Sequence, residues 1–158
     1  MHFAKLAGAA FAAALLGGLP VAAQQQQPVT GTWVIRQTAS VAPWVAPDAT
    51  QPSDREQRRL AGGRVTFRAD RITGPTPLAC RGPHYEMRDY GADMLFQGNL
   101  TQAEAQATAL GFTSRPIRTL ETGCEGAIDF HMLDDNTMQF GLNNRIYTLD
   151  RVRPSPRR

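Results

Sequence analysis

Gly126-Ala127-Ile128-Asp129-Phe130-His131-Met132-Leu133-Asp134-Asp135-Asn136-Thr137-Met138-Gln139-Phe140-Gly141-Leu142-Asn143-Asn144-Arg145-Ile146-Tyr147-Thr148-Leu149-Asp150-Arg151-Val152 decides the fold class. From Gly126 to Leu133 the side chains alternate, with Ile128, Phe130 and Met132 on one face and Asp129 and His131 on the other. Asp134-Asp135-Asn136 reads as a turn, and Thr137 to Leu142 alternates again with Met138, Phe140 and Leu142 inward. Asn143-Asn144 is a two-residue hairpin signal, because asparagine tolerates positive φ. Arg145 to Val152 then forms the last strand of an antiparallel meander. On this pattern Asp129 and His131 face solvent.

Working outward, Ile117 to Cys124 reads as the strand before the meander. Thr101-Gln102-Ala103-Glu104 has capping-box spacing and opens a helix that Gly111 stops, with Ala103, Ala107 and Leu110 as its narrow buried stripe. Met94 to Gly98 and His84 to Met87 read as further strands. Arg64-Val65-Thr66-Phe67-Arg68 alternates, and Ala69-Asp70 turns it into Arg71-Ile72-Thr73. Ser53-Asp54-Arg55-Glu56 is a second capping-box spacing, predicting a short helix to Leu60 that Gly62-Gly63 ends. Gly31-Thr32-Trp33-Val34-Ile35-Arg36 is the first strand, with Trp33 and Ile35 on one face. About seven or eight short strands with one mid-chain helix and a short second one predict a mainly β fold. Its form is a small antiparallel barrel or a strongly curved sheet.

Residues 1–23 carry the marks of a secretory signal. Lys5 precedes an apolar run from Leu6 to Leu19, Pro20 breaks it, and Val21-Ala22-Ala23 offers small residues for cleavage. The expected product has a polar lead-in at 24–30, one β domain at 31–152 and a disordered basic tail at 153–158. A periplasmic or secreted, monomeric protein without a membrane span is expected. Beyond Lys5 every basic side chain is arginine, and the net charge of +3 is spread along the chain. That balance excludes a nucleic-acid role and leaves anionic envelope polymers as the partners of a diffuse positive field.

Beyond the signal, Cys80 and Cys124 are the only cysteines, and His84 and His131 the only histidines. In an exported chain two cysteines form a disulfide. A closed loop of that length contributes about 4 kcal/mol in the chain-entropy model. Zinc is the alternative, since Cys80-x3-His84 and Cys124-x6-His131 would supply two sulfurs and two nitrogens. His84 and Glu86 share a strand face, as do Asp129 and His131, so the four would form a metal or acid/base site if the two strands adjoined. Asp134-Asp135-Asn136 is ordinary turn chemistry, with calcium as its sharper reading. No serine stands in a Gly-x-Ser-x-Gly setting and no Gly-rich phosphate loop occurs, so no catalytic residue and no cofactor is assigned. Trp44, between Pro43 and Pro47, sits in a stiff loop. It either plugs the barrel mouth, lies over an arginine, or offers an aromatic face to a sugar or protein. Arg55, Arg58 and Arg59 form a solvated helix face or a contact for an anionic partner.

Gly31-Thr32-Trp33 opening the first strand, with Arg151 closing the last, resembles the calycin pattern of lipocalins. The resemblance implies an apolar-ligand barrel in which Trp33 and Arg151 are structural. It departs from that family in having its helix mid-chain and none after the last strand. Arg64 to Glu86 is similar to the central stretch of META-type bacterial envelope domains, which implies an envelope role. The function expected is an exported, disulfide-stapled, non-enzymatic binding domain for a small apolar ligand, an envelope polymer or a protein, an inhibitor of a secreted hydrolase included. The alternatives are a metal-assisted hydrolase using His84, Glu86, Asp129 and His131, and a structural envelope protein.

Overall fold

The computed structural model describes residues 29–49, 54–126 and 128–153. The signal-like segment, most of the polar lead-in, Ser53 of the first capping-box spacing and the tail from 154 lie outside them. Ten strands make one sheet: β1 (Gly31–Ile35), β2 (Ser40–Val41), β3 (Arg64–Phe67), β4 (Arg71–Thr73), β5 (Cys80–Arg81), β6 (Glu86–Tyr90), β7 (Ile117–Glu121), β8 (Phe130–Asp134), β9 (Thr137–Leu142) and β10 (Arg145–Arg151). Two helices, α1 (Asp54–Leu60) and α2 (Ala103–Ala109), and a 3-10 segment (Ala92–Gly98) accompany it.

The strand order is β5-β4-β3-β1-β10-β9-β8-β7-β6, with β2 pairing β10 off that path. Each pairing is antiparallel, and the sheet curls into a half-barrel, as the alternation predicts. Because β1 pairs with β10, the first and last strands are neighbours and the open seam falls between β5 and β6. Two contacts lace that seam. Cys80 on β5 is disulfide-bonded to Cys124 beyond β7, with Cα atoms 6.0 Å apart. Tyr85 donates its hydroxyl to the Arg68 carbonyl at 2.8 Å. On the β5 side, Gly82 N–H bonds the Asp70 carbonyl at 2.9 Å and extends the β4–β5 ladder by one residue.

The concave face is filled. Trp33, Ile35, Val65, Phe67, Phe130, Met138, Phe140, Tyr147 and Leu149 form one buried cluster. Phe67 meets Phe130 edge-on at 5.2 Å, and Phe140 stacks on Tyr147 at 5.1 Å. Trp33 donates Nε1–H to the Val29 carbonyl at 3.0 Å, and the Arg151 guanidinium lies 4.3 Å from its ring centre. Arg151 also bonds the Thr30 and Asp135 carbonyls, so it is held over the ring at that end of the fold. At the other end of β10, α1 inserts the fully buried Leu60 while its Glu56 accepts from the Tyr147 hydroxyl and Asp54 pairs with Arg145.

A second layer covers the convex face of β6 to β10. The 3-10 segment and α2 bury Tyr90, Leu95, Phe96, Leu100, Ala107, Phe112, Ile117 and Ile146 in their own cluster. The placement of His131 in solvent is therefore corrected: β8 is buried on both faces, and His131 is 1% exposed. Alternation sorts side chains between faces, but the second layer decides that this face is dry. Met94 to Gly98 is not a strand; it belongs to the 3-10 segment, broken at Leu95, Phe96 and Gln97. The strand expected at His84 to Met87 begins at Glu86 and runs on to Tyr90. The cap of α2 also differs from its spacing. Gln106 Oε1 accepts from Gln102 N–H at 2.9 Å, while Glu104 pairs with Arg115. Gly62 has φ of 71° just past α1, and Asn143 and Asn144 have φ of 46° and 62° in the β9–β10 turn, as their types predict. Among the described residues no helix is long and apolar enough to cross a membrane.

Candidate binding cleft

A cleft of about 370 Å³ opens where the 3-10 segment meets the ends of β8 and β9. Its walls are Trp44, Phe96, Gln97, Asp129, His131 and the Asn143-Asn144 turn, with Asn99, Ile128, Gly141 and Leu142 between them.

Its floor is conformationally unusual. Phe96 (φ 50°, ψ 43°) and Gln97 (φ 61°, ψ 34°) are consecutive left-handed residues without being glycine. An aromatic side chain in that region is a steric outlier that only its surroundings can hold. Three features hold it. Phe96 N–H donates to His131 Nε2 at 3.0 Å. The Asn99 side chain donates to the Phe96 carbonyl at 2.6 Å. The Phe96 ring packs against His131 (4.7 Å between centroids), Trp44 (5.7 Å) and Phe112 (6.2 Å). Gly141 makes the approach possible, because a Cβ there would stand 3.2 Å from Phe96 Cδ1.

The bonds of His131 fix its tautomer. Nε2 accepts, so the ring proton is on Nδ1, which donates to Thr119 Oγ1 at 2.9 Å. Burial lowers its pKa to about 3, so the ring is neutral at ordinary pH. With both nitrogens bonded to the protein, it is a bracket rather than a base.

Asp129 lines the cleft half-buried, and its pKa is raised by burial and then by the Glu121 carboxylate. Glu121 in turn accepts from the Tyr90 hydroxyl at 2.8 Å and pairs with Arg88, which also holds Glu86 at 2.7 Å. Burial, with the Glu121 bond next, pushes the Tyr90 phenol up to about 12. Trp44 does not plug the barrel mouth. It leans on Phe96 and Gly141, and its Nε1–H donates to Asn144 Oδ1 at 3.0 Å.

The four residues of the metal alternative do not converge. His131 is enclosed in the second layer, Asp129 faces the cleft, Glu86 sits opposite Glu121 on the β6–β7 pair, and exposed His84 docks by its backbone on Thr122. Among the described residues no three His, Cys, Asp or Glu side chains stand where they could hold a metal. The zinc reading also fails at its sulfurs, which are bonded to each other. In the β8–β9 turn, Asp134 accepts from Asn136 N–H and Asp135 pairs with Arg118. Arg55, Arg58 and Arg59 are exposed on α1, with Arg59 3.7 Å from Glu56.

Phe96, Gln97, Thr119 and the cleft role of Asn143 and Asn144 had no signature in the sequence. Left-handed backbone at Phe96 and Gln97 has no residue-type signal, and Thr119 is an ordinary strand threonine. Comparison of the chain with protein-family models, with curated proteins and with solved structures gave no match.

Proposed function

We propose that the chain is an exported, non-enzymatic binding domain that seats a neutral, hydroxyl-rich ring, a sugar unit of an envelope polymer, in the Trp44–Asp129 cleft. The observation that carries this reading is the left-handed Phe96-Gln97 pair on the cleft floor, bracketed by a buried histidine. Strained backbone of this kind gathers at ligand clamps. The lining supports the ligand class. Trp44 gives an aromatic wall, Gln97, Asn99, Asn143 and Asn144 give amide donors and acceptors, and Asp129 gives a carboxylate acceptor. Among the described residues no lysine or arginine lines the cleft, which disfavours an anionic ligand there. The filled concave face disfavours the apolar-ligand reading, and the committed nitrogens of His131 disfavour hydrolysis. The apolar run from Leu6 to Leu19 and the Cys80–Cys124 bond support export.

Trp44 supplies the readout. Titrating the protein with N-acetylglucosamine oligomers and with neutral hexose oligomers is expected to shift its fluorescence, because Trp33 is sealed and Trp44 is not. Asp129→Asn and Asn144→Ala variants are expected to weaken the response at least tenfold. A cleft that ignores every neutral sugar tested, or binding that survives both substitutions, overturns the reading.

A further inference from the structure

The convex face of β1, β3, β4 and β5 lies away from the second layer and carries a pattern of its own. Arg71 pairs directly with Arg81 across β4 and β5. Arg68 follows β3 and gives its N–H to the Arg71 carbonyl at 2.9 Å across the two-residue turn. Phe67 and Ile72 beside them point into the core, so the three exposed arginines share the outer face. They form one row across neighbouring strand positions, at the interstrand spacing of about 4.8 Å. Two residues along each strand lies a second row. Thr32 pairs with Thr66 and Thr66 with Thr73, and the Thr32 and Thr66 hydroxyls are 3.0 Å apart.

Like charges placed directly opposite each other on a sheet repel. Among the described residues the acid nearest the arginine row is Asp70, 3.7 Å from Arg71, and no carboxylate pairs with Arg68 or Arg81. An open groove of about 680 Å³ runs along the same edge past Arg71, Thr73 and Arg81, with Asp70 as the one carboxylate among its lining residues. A repelling row of planar, bidentate donors beside a row of hydroxyls complements a chain that alternates acidic groups with hydroxyls. We infer that this face binds an acidic polysaccharide strand laid across β3, β4 and β5, its carboxylates on Arg68, Arg71 and Arg81 and its hydroxyls on Thr66 and Thr73. The site is separate from the Trp44 cleft and stands without it.

The test is titration calorimetry of the whole protein with polygalacturonate at 50 and 200 mM salt, with dextran and inorganic polyphosphate in parallel. Polygalacturonate is expected to bind at low salt and weaken at least tenfold at high salt, and dextran to give no heat. Arg71→Ser/Arg81→Ser is expected to lose at least tenfold in affinity while keeping or raising Tm. Arg58→Ser/Arg59→Ser on α1 is expected to bind as the unmodified protein does. Equal losses in the two double variants would reduce the face to a diffuse field and overturn the inference. So would polyphosphate binding without polygalacturonate binding, or no binding at 50 mM salt.

Discussion

His131→Gln tests the bracket under the cleft most directly. The native ring stays neutral down to about pH 3, while an unfolded histidine takes its proton near 6.5. Between those values the unfolded chain holds one more proton than the native one, so stability rises with pH across that window. The contribution is fully present above pH 6.5 and is lost as pH falls toward 3. From pH 7 to pH 5 the loss is about 2 kcal/mol, and the local slope approaches about 1.4 kcal/mol per pH unit. Glutamine keeps an acceptor for Phe96 N–H and a donor for Thr119 but does not titrate. Urea melts at pH 5, 6, 7 and 8 should show the unmodified midpoint falling by about 1 M from pH 7 to 5, taking a slope near 2 kcal/mol/M. The variant's midpoint should stay nearly level, and the carboxylates cancel in the comparison. Imidazole nitrogen shifts supply a second measurement, which should show the neutral Nδ1–H tautomer at pH 5. Parallel stability profiles, or an imidazolium at pH 5 in the folded protein, would refute the reasoning.

The remaining predictions concern the seam and the cleft floor. Cys80→Ala/Cys124→Ala should lower stability by about 4 kcal/mol, the entropy of closing a loop with 44 residues of separation. Hydrogen exchange should then quicken at β4, β5 and β6 before it does at β9 and β10; uniform quickening contradicts the seam. Gln97→Gly should raise Tm, because a left-handed non-glycine residue carries a penalty of about 1 kcal/mol; a lower Tm contradicts the strain. Gly141→Ala should destabilise by about 1–3 kcal/mol as its Cβ meets Phe96, and unchanged urea melts would show that the ring moves aside freely.

The sheet was legible wherever one face is apolar and the period is short. Met138, Phe140 and Leu142 alternate with polar partners, and β9 and its turn to β10 lie where that pattern puts them. Strands β2 and β5 are two residues long, too short for any periodicity to register. The environment of His131 was not legible, because what covers its ring comes from distant aromatic residues, Phe96 at 4.7 Å, Tyr90 at 6.0 Å and Phe112 at 6.4 Å. Phe96 misled in the same way. Met94-Leu95-Phe96 is apolar enough for a strand, but its hydrogen bonds go to a histidine 35 residues away and to Asn99. The disulfide was readable from composition alone, whereas its position across the seam depended on the strand order.

The pairing of β1 with β10 makes the sheet a ring in sequence order, cut at one place. Val152 N–H bonds the Thr32 carbonyl, so the two ends of the described chain lie side by side. A short linker could join them, and new termini opened between Gly82 and His84 would fall in the existing gap without breaking any strand pair. Such a circular permutant keeps the register of the sheet, and Cys80 and Cys124 then tie a new C-terminal edge to the body of the fold. The gap in the ring is thus a natural port for insertion, where a reporter or second domain can be grafted.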